Sequence, residues 1–432
     1  MSKPPRKLLM VAYHFPPLRG SSGIQRTLRF VQHLPRFGWE PLVLTAHRRA
    51  YEDTSDDQMS EVPEGTVVKR AFALNTARHL ALFGRYPGSL ALPDRWATWR
   101  FGAVPAGLAM IRRYRPDAIW STYPIATAHV IGATLAKKSG LPWIADFRDP
   151  MAQDGYPADP RAWQAYRDIE HQALRDAAAS VFTTPGCAEL YRERYPEIRA
   201  GKSVVIENGY DEESFARAEA ERAARGDASA ALSAASPGSL PGSSPFVLLH
   251  SGIVYPDERD PRPLFAALGR LKRQGAVSAE TFCLRLRASG YDAMLKELAA
   301  SCAIDDLVSL EPAIPYHQAL REMLEVDGLL VMQASNCNQQ IPAKLYEYVR
   351  AKKPVLALTD PIGDTASTLR AAGLSSIARL DDEGSIAEAL MAFITRAREG
   401  REAIASSKAI AASSREGRAR SFAALLDRVV ET

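Results

Sequence analysis

Short apolar runs alternate along this chain with longer stretches whose apolar positions recur every three or four residues. The first kind reads as buried strand, the second as amphipathic helix. In the first half the apolar runs are residues 7–14 (KLLMVAYH), 40–46, 118–121, 143–145, 180–183 and 203–207. Helical patterns lie between them at 24–37, 99–114, 126–139, 160–178 and 186–195. The 24–37 helix sets Ile24, Leu28, Val31 and Leu34 on one face and Arg26, Arg29 and Arg36 largely on the other. Residues 51–64 are acidic and polar and read as a loop. The rhythm restarts at residue 246 with FVLLHS. It continues through strands at 283–287, 308–311, 328–332 and 354–358, with helices between them that include 262–274 and 344–351. Strands alternating with helices predict parallel sheets covered on both faces. Residues 216–245 break the pattern: ARAEAERAARG extends a helix, but SAASPGSLPGSSP cannot build a core and reads as flexible. The expected architecture is α/β, with Rossmann-like units at 1–210 and 246–400, a low-complexity linker or insert at 211–245, and helices at 401–432.

A chain of 432 residues is long enough for two such domains. No apolar run approaches the roughly 20 residues of a membrane span. The opening MSKPPRKLLMVAYHFPP lacks a small-residue cleavage site and reads as a first strand. Cys187, Cys283, Cys302 and Cys337 are scattered, which fits a reducing cytoplasm and no disulfide framework. The net charge of +4 is uneven: residues 1–50 hold nine Lys or Arg and one acidic residue, a net +8 that leaves −4 for the rest. A basic face of this kind suits an anionic membrane surface or a phosphate-bearing lipid. Nucleic acid fits less well, because no interleaved aromatic platform accompanies the charge.

Candidate chemistry sits in the loops after strands, where open parallel sheets bind ligands. The stretch 332–358 (MQASNCNQQIPAKLYEYVRAKKPVLAL) reads strand, loop, helix, strand. Pro342 suits a first helical turn. The helix start at Ile341, Pro342, Ala343 and Lys344 offers amides and a partial positive charge, a ready setting for phosphate. Lys344 and Glu347 are one turn apart; they serve one site or form an ordinary surface pair. Gly20 and Gly23, after the first strand, allow close approach of a ligand or make a tight turn. The loop ADFRDPM brings Asp146, Arg148 and Asp149 to a strand end, as site residues or as a braced loop. His129 on the preceding helix reaches the same cleft or is structural. The two tryptophans of LPDRWATWR belong to the core or line an acceptor path. No G-x-G-x-x-G occurs, so the dinucleotide fingerprint is missing. No Asp-x-Asp occurs either, and neither metal nor cofactor is expected.

The run P-A-K-L-Y-E-Y-V followed by K-P-V-L-A-L resembles the donor-sugar motif of family 4 glycosyltransferases. F-P-P-x-x-G-x-x-G before a basic helix resembles that family's first loop, and I-E-N-G-Y-D its interdomain turn. The span from I-W-S-T-Y-P to D-F-R-D-P resembles exopolysaccharide-type members. The resemblance covers most of the chain and is weakest over 47–95 and 216–245. It implies the GT-B fold: two facing doubly wound domains, an interdomain cleft, and a last helix that returns to the first domain. It implies a metal-independent, retaining hexosyltransferase that moves sugar from a nucleotide sugar to a glycan or lipid-linked acceptor in cell-surface polysaccharide synthesis; the basic N-terminal charge adds the expectation of a cytoplasmic protein peripheral to the inner face of the cell membrane. Under it, Arg259 and Lys344 stabilise the diphosphate and Glu347 holds donor hydroxyls. Gly252, Gln339, Ile341, Pro342 and Ala343 complete the donor site. Asp146 and His129 join the catalytic side, while Arg148, Asp149, Gly20 and Gly23 line the acceptor side. Two positions depart from the family pattern. Gln339 stands where the first of two glutamates is usual, and Ile253 where an arginine is usual, with Arg262 as the candidate to compensate. The alternatives are another GT-B enzyme, such as a nucleotide-sugar epimerase, and a non-catalytic scaffold.

Overall fold

The apolar runs become the centres of two parallel sheets. The computed structural model describes residues 4–19, 23–56, 58–83, 85–86, 88–197, 200–233 and 244–431. The chain divides into two units, residues 1–208 with 415–432, and residues 209–414.

The first unit holds β1 (Arg6–Val11), β2 (Trp39–Ala46), β3 (Val67–Ala71), β4 (Ala118–Thr122), β5 (Trp143–Arg148), β6 (Ala179–Phe182) and β7 (Ser203–Val205). Their order is β3-β2-β1-β4-β5-β6-β7, every pairing parallel. Leu8, Leu9, Met10 and Val11 are fully buried. Helices cover both faces, so these strands read as continuous apolar runs. The sequence pattern gave no strand at β3, because an edge strand carrying Lys69 and Arg70 is only half covered.

The helix expected over 24–37 is an α-helix at Gly23–His33 followed by a 3-10 turn at Leu34–Phe37. Pro35 ends the α-helical hydrogen bonding there. The expected exposed basic face is not found: Arg26 and Arg29 are buried. The C-terminal helix Arg415–Glu431 belongs to this unit and covers that side. Its Phe422 ring lies 4.7 Å from Phe30 and 5.9 Å from Trp120. Asp427 accepts from Arg6 and from the Trp39 indole, both at 3.0 Å.

The second unit holds β8 (Phe246–Ser251), β9 (Phe282–Arg287), β10 (Val308–Glu311), β11 (Gly328–Gln333), β12 (Val355–Thr359) and β13 (Ile377–Ala378). The order is β10-β9-β8-β11-β12-β13, again all parallel. The segment expected as linker from 211 opens with a long helix, Glu212–Ser233, which takes in the run expected to extend a helix. Phe215 and Ala218 pack into the core of this unit. Arg350 fastens the helix by pairing with Glu212 and with Glu219, the latter at 2.8 Å. Residues 234–243, the Ser/Gly/Pro-rich part of the expected linker, lie outside the described residues.

In each sheet the strand order turns back on itself beside the first strand, at β1 and at β8. The loops at those C-terminal strand ends diverge and leave a crevice. Residues after β1, β4 and β5, and after β8 and β11, are therefore the ones placed to meet a ligand.

Candidate functional site

In the second unit the loops after β8 and β11 meet at Lys344, the first residue of the helix Lys344–Ala351. Lys344 Nζ lies 3.0 Å from Nε2 of His250, which stands near the end of β8. The Nδ1 of His250 is 2.9 Å from the Leu330 carbonyl. A carbonyl only accepts, so Nδ1 carries the proton and Nε2 accepts from the ammonium. Burial, and then the Lys344 charge, hold the His250 imidazolium well below its usual range. Lys344 is itself pushed well below the usual lysine range, by burial first and by the Arg259 cation second. Gly252 gives these groups room. Its φ is +115°, and a Cβ there would sit 3.0 Å from Lys344 Nζ.

Arg259 donates to the Ile253 carbonyl and lies 5.1 Å over the Tyr255 ring. Glu347 Oε1 accepts from the Tyr316 hydroxyl at 2.7 Å. The loop before the helix is pinned from below. Gln333 Nε2 donates to the carbonyls of Cys337 and Gln340, each at 3.0 Å, while its Oε1 accepts from Thr365. Gln339 is exposed on that loop; Ile341 is buried, Pro342 half-buried and Ala343 exposed. Arg262, the candidate to compensate for Ile253, is bound to Asp260, with Nη2–Oδ2 at 2.7 Å. A cavity of about 580 Å³ opens on that side, lined by Asp257, Asp260, Arg262, Gln333, Asn336 and Asp381. Lys344, Glu347 and Arg259 are not among its lining residues. Sequence reasoning missed His250, Tyr316 and Gln333. Only His250 left a signal, as the one titratable residue inside an apolar strand.

In the first unit the candidates separate. The two oxygens of Asp146 accept from Arg26 Nε and Nη2 at 2.8 and 2.9 Å, and Oδ2 also accepts from Thr122 at 2.9 Å. Arg26 spends its remaining donors on the carbonyls of Ile206 and Glu207. Asp146, expected on the catalytic side, is thus held in place by Arg26 and Thr122. His129, also expected on that side, is fully buried, 5.2 Å from the Phe147 ring, with Nδ1 2.8 Å from Ser121 Oγ. Burial lowers its pKa from 6.5 to about 4, so it is a neutral core residue.

Arg148 differs from both. Its backbone is left-handed at φ +60°, just where the β5–β6 register shifts. Its side chain is 7% exposed, and Nε has no hydrogen-bond partner. Gly23 faces it across a tight approach: a Cβ on Gly23 would lie 2.7 Å from Arg148 Nη1 and 2.3 Å from His14 Nδ1. Asp149 is exposed beside it. Gly20, the other glycine expected here, lies outside the described residues. Trp99 is core, and Trp96 is half-buried 5.0 Å from Tyr13. Among the described residues no helix is long and apolar enough to cross a membrane.

Residues 22–209 match the family model of the glycosyl transferase 4-like domain. No curated protein sequence matches the chain. Solved structures do. A glycosyltransferase from Rickettsia africae ESF-5 aligns over 99% of both chains with 13% identity and a TM-score of 0.63. A sucrose-phosphate synthase from Thermosynechococcus elongatus aligns over 99% of this chain and 96% of its own, with 15% identity and a TM-score of 0.59. Alr3699/HepE from Anabaena, in complex with UDP, aligns over 99% and 97%, with 14% identity and a TM-score of 0.58. The fold is GT-B, as the resemblance implied.

Proposed function

We propose that the protein is a glycosyltransferase that moves a sugar from a nucleotide-sugar donor to a hydroxyl of a glycan or lipid-linked acceptor. The observation that carries this reading is the group on the second unit: Lys344 and Arg259 close to Gly252, with Glu347 one turn along the same helix. Negative charge grows on the leaving diphosphate as the sugar departs. Lys344, Arg259 and the amides at the start of the Lys344–Ala351 helix would meet that charge. Glu347 would accept hydrogen bonds from donor hydroxyls, the stronger charge-assisted kind. Gln339 would offer the sugar a neutral amide in place of a carboxylate. Anabaena HepE has been solved with UDP and with UDP-glucose, so a uridine nucleotide sugar is the first donor to try.

The finer parts of the reading are retention of configuration, a hexose donor, no need for a divalent metal, and a place in cell-surface polysaccharide synthesis at the inner membrane face. With Arg26 and Arg29 buried, the exposed Arg19, Arg36, Arg48 and Arg49 are basic groups of the N-terminal segment left for an anionic membrane, Arg36 being paired with Glu416.

The test is kcat and KM with UDP-glucose for Lys344→Ala and Glu347→Ala, beside melting curves and with an EDTA arm. We expect kcat/KM to fall roughly tenfold to a hundredfold for each lost charged contact, with the fold retained. Near-normal kinetics in a folded Glu347→Ala protein would overturn the reading. UDP binding without hydrolysis or transfer would favour a scaffold, to which Gln339 and Ile253 also point.

A further inference from the structure

We infer that the cavity of about 580 Å³ in the second unit binds an uncharged carbohydrate, at a place separate from the group around Lys344. The cavity opens where the C-terminal ends of β8, β11, β12 and β13 meet the start of the Arg262–Arg273 helix. Small-molecule sites usually measure about 300–1,000 Å³, so it is large enough for one or two sugar rings. Its walls are held by hydrogen bonds. The Ala334 N–H donates to the Glu258 carbonyl at 2.7 Å, and Asn336 Nδ2 to the Asp257 carbonyl at 3.3 Å. These bonds tie the loop after β8 to the loop after β11. Asp360 accepts from Asn338 Nδ2 at 2.8 Å and from the Ile362 N–H at 3.2 Å. No residue from Gln339 to Glu347 lines the space, and neither do Gly252 or Arg259. The cavity is therefore not the donor group under another description.

The lining selects the ligand by exclusion and then by fit. Two guanidiniums face the cavity, but each is taken: Arg262 by Asp260 at 2.7 Å and Arg379 by Asp381 at 2.8 Å. With Asp257 and Asp360 the lining holds four aspartates against two arginines, a net charge of −2. A phosphate would meet repulsion there. No aromatic ring lines the space to stack a nucleobase. Among the described residues no three His, Cys, Asp or Glu side chains are grouped to hold a metal ion. A ligand rich in hydroxyls and free of negative charge meets none of these objections. Carboxylate oxygens accept from hydroxyls in the stronger charge-assisted way. The exposed Ser335 and Asn336 each both donate and accept. Pro256, Pro263 and Leu380 put apolar patches between these polar groups. A pyranose has the matching pattern, with hydroxyls around its edge and C–H groups on its faces.

The site does not depend on the transferase reading. Its source of sugar does: a glycan under extension if that reading holds, a free saccharide otherwise. The experiment measures dissociation constants by saturation-transfer NMR, using the full chain with glucose, galactose, mannose, glucosamine, glucuronate and maltotetraose. At least one neutral hexose should bind. Glucosamine should bind as well as glucose or better, and glucuronate roughly fivefold to tenfold more weakly than glucose, because the lining is negative. Ser335→Trp, which fills the cavity, should abolish binding. Asp257→Asn changes an exposed side chain and keeps the test open if the tryptophan disturbs the fold. It should weaken hexose binding severalfold and narrow the gap between glucosamine and glucuronate. Lys344→Ala and added UDP should change nothing.

Binding undiminished in both cavity variants would overturn the proposal. So would binding lost in Lys344→Ala or displaced by UDP, since the sugar would then occupy the donor group. Glucuronate tighter than glucose, or no binding by any of the sugars, would overturn it too. Maltotetraose binding much tighter than glucose supports the site with a glycan chain as its source; equal affinities support it with a free sugar. Sugar held in this cavity by a protein that transfers none would refute the transferase reading and leave the site standing. Transfer by a protein whose cavity holds no sugar would refute the site alone.

Discussion

Lys344 concentrates the electrostatic problem of the second unit in one side chain. Burial and the Arg259 cation both oppose its charge, and Glu347 only partly offsets them. A bound diphosphate would reverse that balance and raise the lysine pKa. Binding should therefore take up a proton at any pH between the depressed free value and the raised bound one. Calorimetry of UDP binding in buffers of different ionisation heat should show this uptake, and Lys344→Met should abolish it. Equal apparent enthalpies in all buffers would mean that Lys344 is already fully charged when the site is empty. His129 is a different case, a fully buried titratable group whose protonation bears on stability. Its folded pKa is about 4 against 6.5 for the free side chain, so as pH falls below 6.5 the unfolded chain binds the proton first. Stability is lost across the window from 6.5 to about 4. The loss amounts to roughly 3 kcal/mol, and less if burial is relieved by local opening. His129→Gln should flatten the acid limb of a urea-melt series over that window; an unchanged slope would sink the assignment.

Between elements, the pair Arg26–Asp146 joins the Gly23–His33 helix to the end of β5, and both side chains are nearly inaccessible. Asp146→Asn leaves the guanidinium buried without a counter-charge. Breaking a pair in this way costs about 3–5 kcal/mol. Chemical denaturation of the first unit should show a loss of that size, and a loss under 1 kcal/mol would mean that water reaches the pair. This contact also shows where sequence reading stops. Strands buried on both faces were legible, because most positions in them are apolar. β3 and β13 were not, since an edge strand or a two-residue strand carries no pattern. The 24–37 periodicity marked the apolar face of its helix correctly. It could not reveal that Asp146 would take up Arg26 and Glu61 would take up Arg29, which put both on the surface in error. In the alanine-rich 212–233 stretch the run ARAEAERAARG was legible as helix, but its docking on the second unit was not, because its anchor, Arg350, lies far along the chain. In the site, Lys344 and Glu347 were legible from one helix. His250 was not, because its partner is 94 residues away.

At the scale of the molecule the first unit is discontinuous: the chain leaves it at residue 208 and returns at 415. The returning helix is part of its core. Phe422, Leu425 and Leu426 are almost wholly buried. Burying three such side chains contributes about 5–9 kcal/mol. A domain of this kind has a net stability of about 5–15 kcal/mol. Without the helix, Phe30 and Trp120 would face water and Asp427 would no longer hold Arg6 and Trp39. The second unit closes its own sheet from residues 209–414 and needs nothing from the last helix. A chain ending at 414 should therefore lose the cooperative transition of the first unit. It should keep that of the second, including any stabilisation by UDP that acts through Lys344. The measurement is a two-probe melt, with near-ultraviolet signal from Trp39, Trp99, Trp120 and Trp143 against total helicity, with and without UDP. All six tryptophans of the chain, these four with Trp96 and Trp163, lie in the first unit, so the tryptophan signal reports that unit alone. A truncated chain with an unshifted tryptophan transition would mean that the helix is an accessory and not a wall of the core. The expected result carries a consequence for folding. The first sheet is made early in the chain, yet it cannot reach full stability until the final helix has been added.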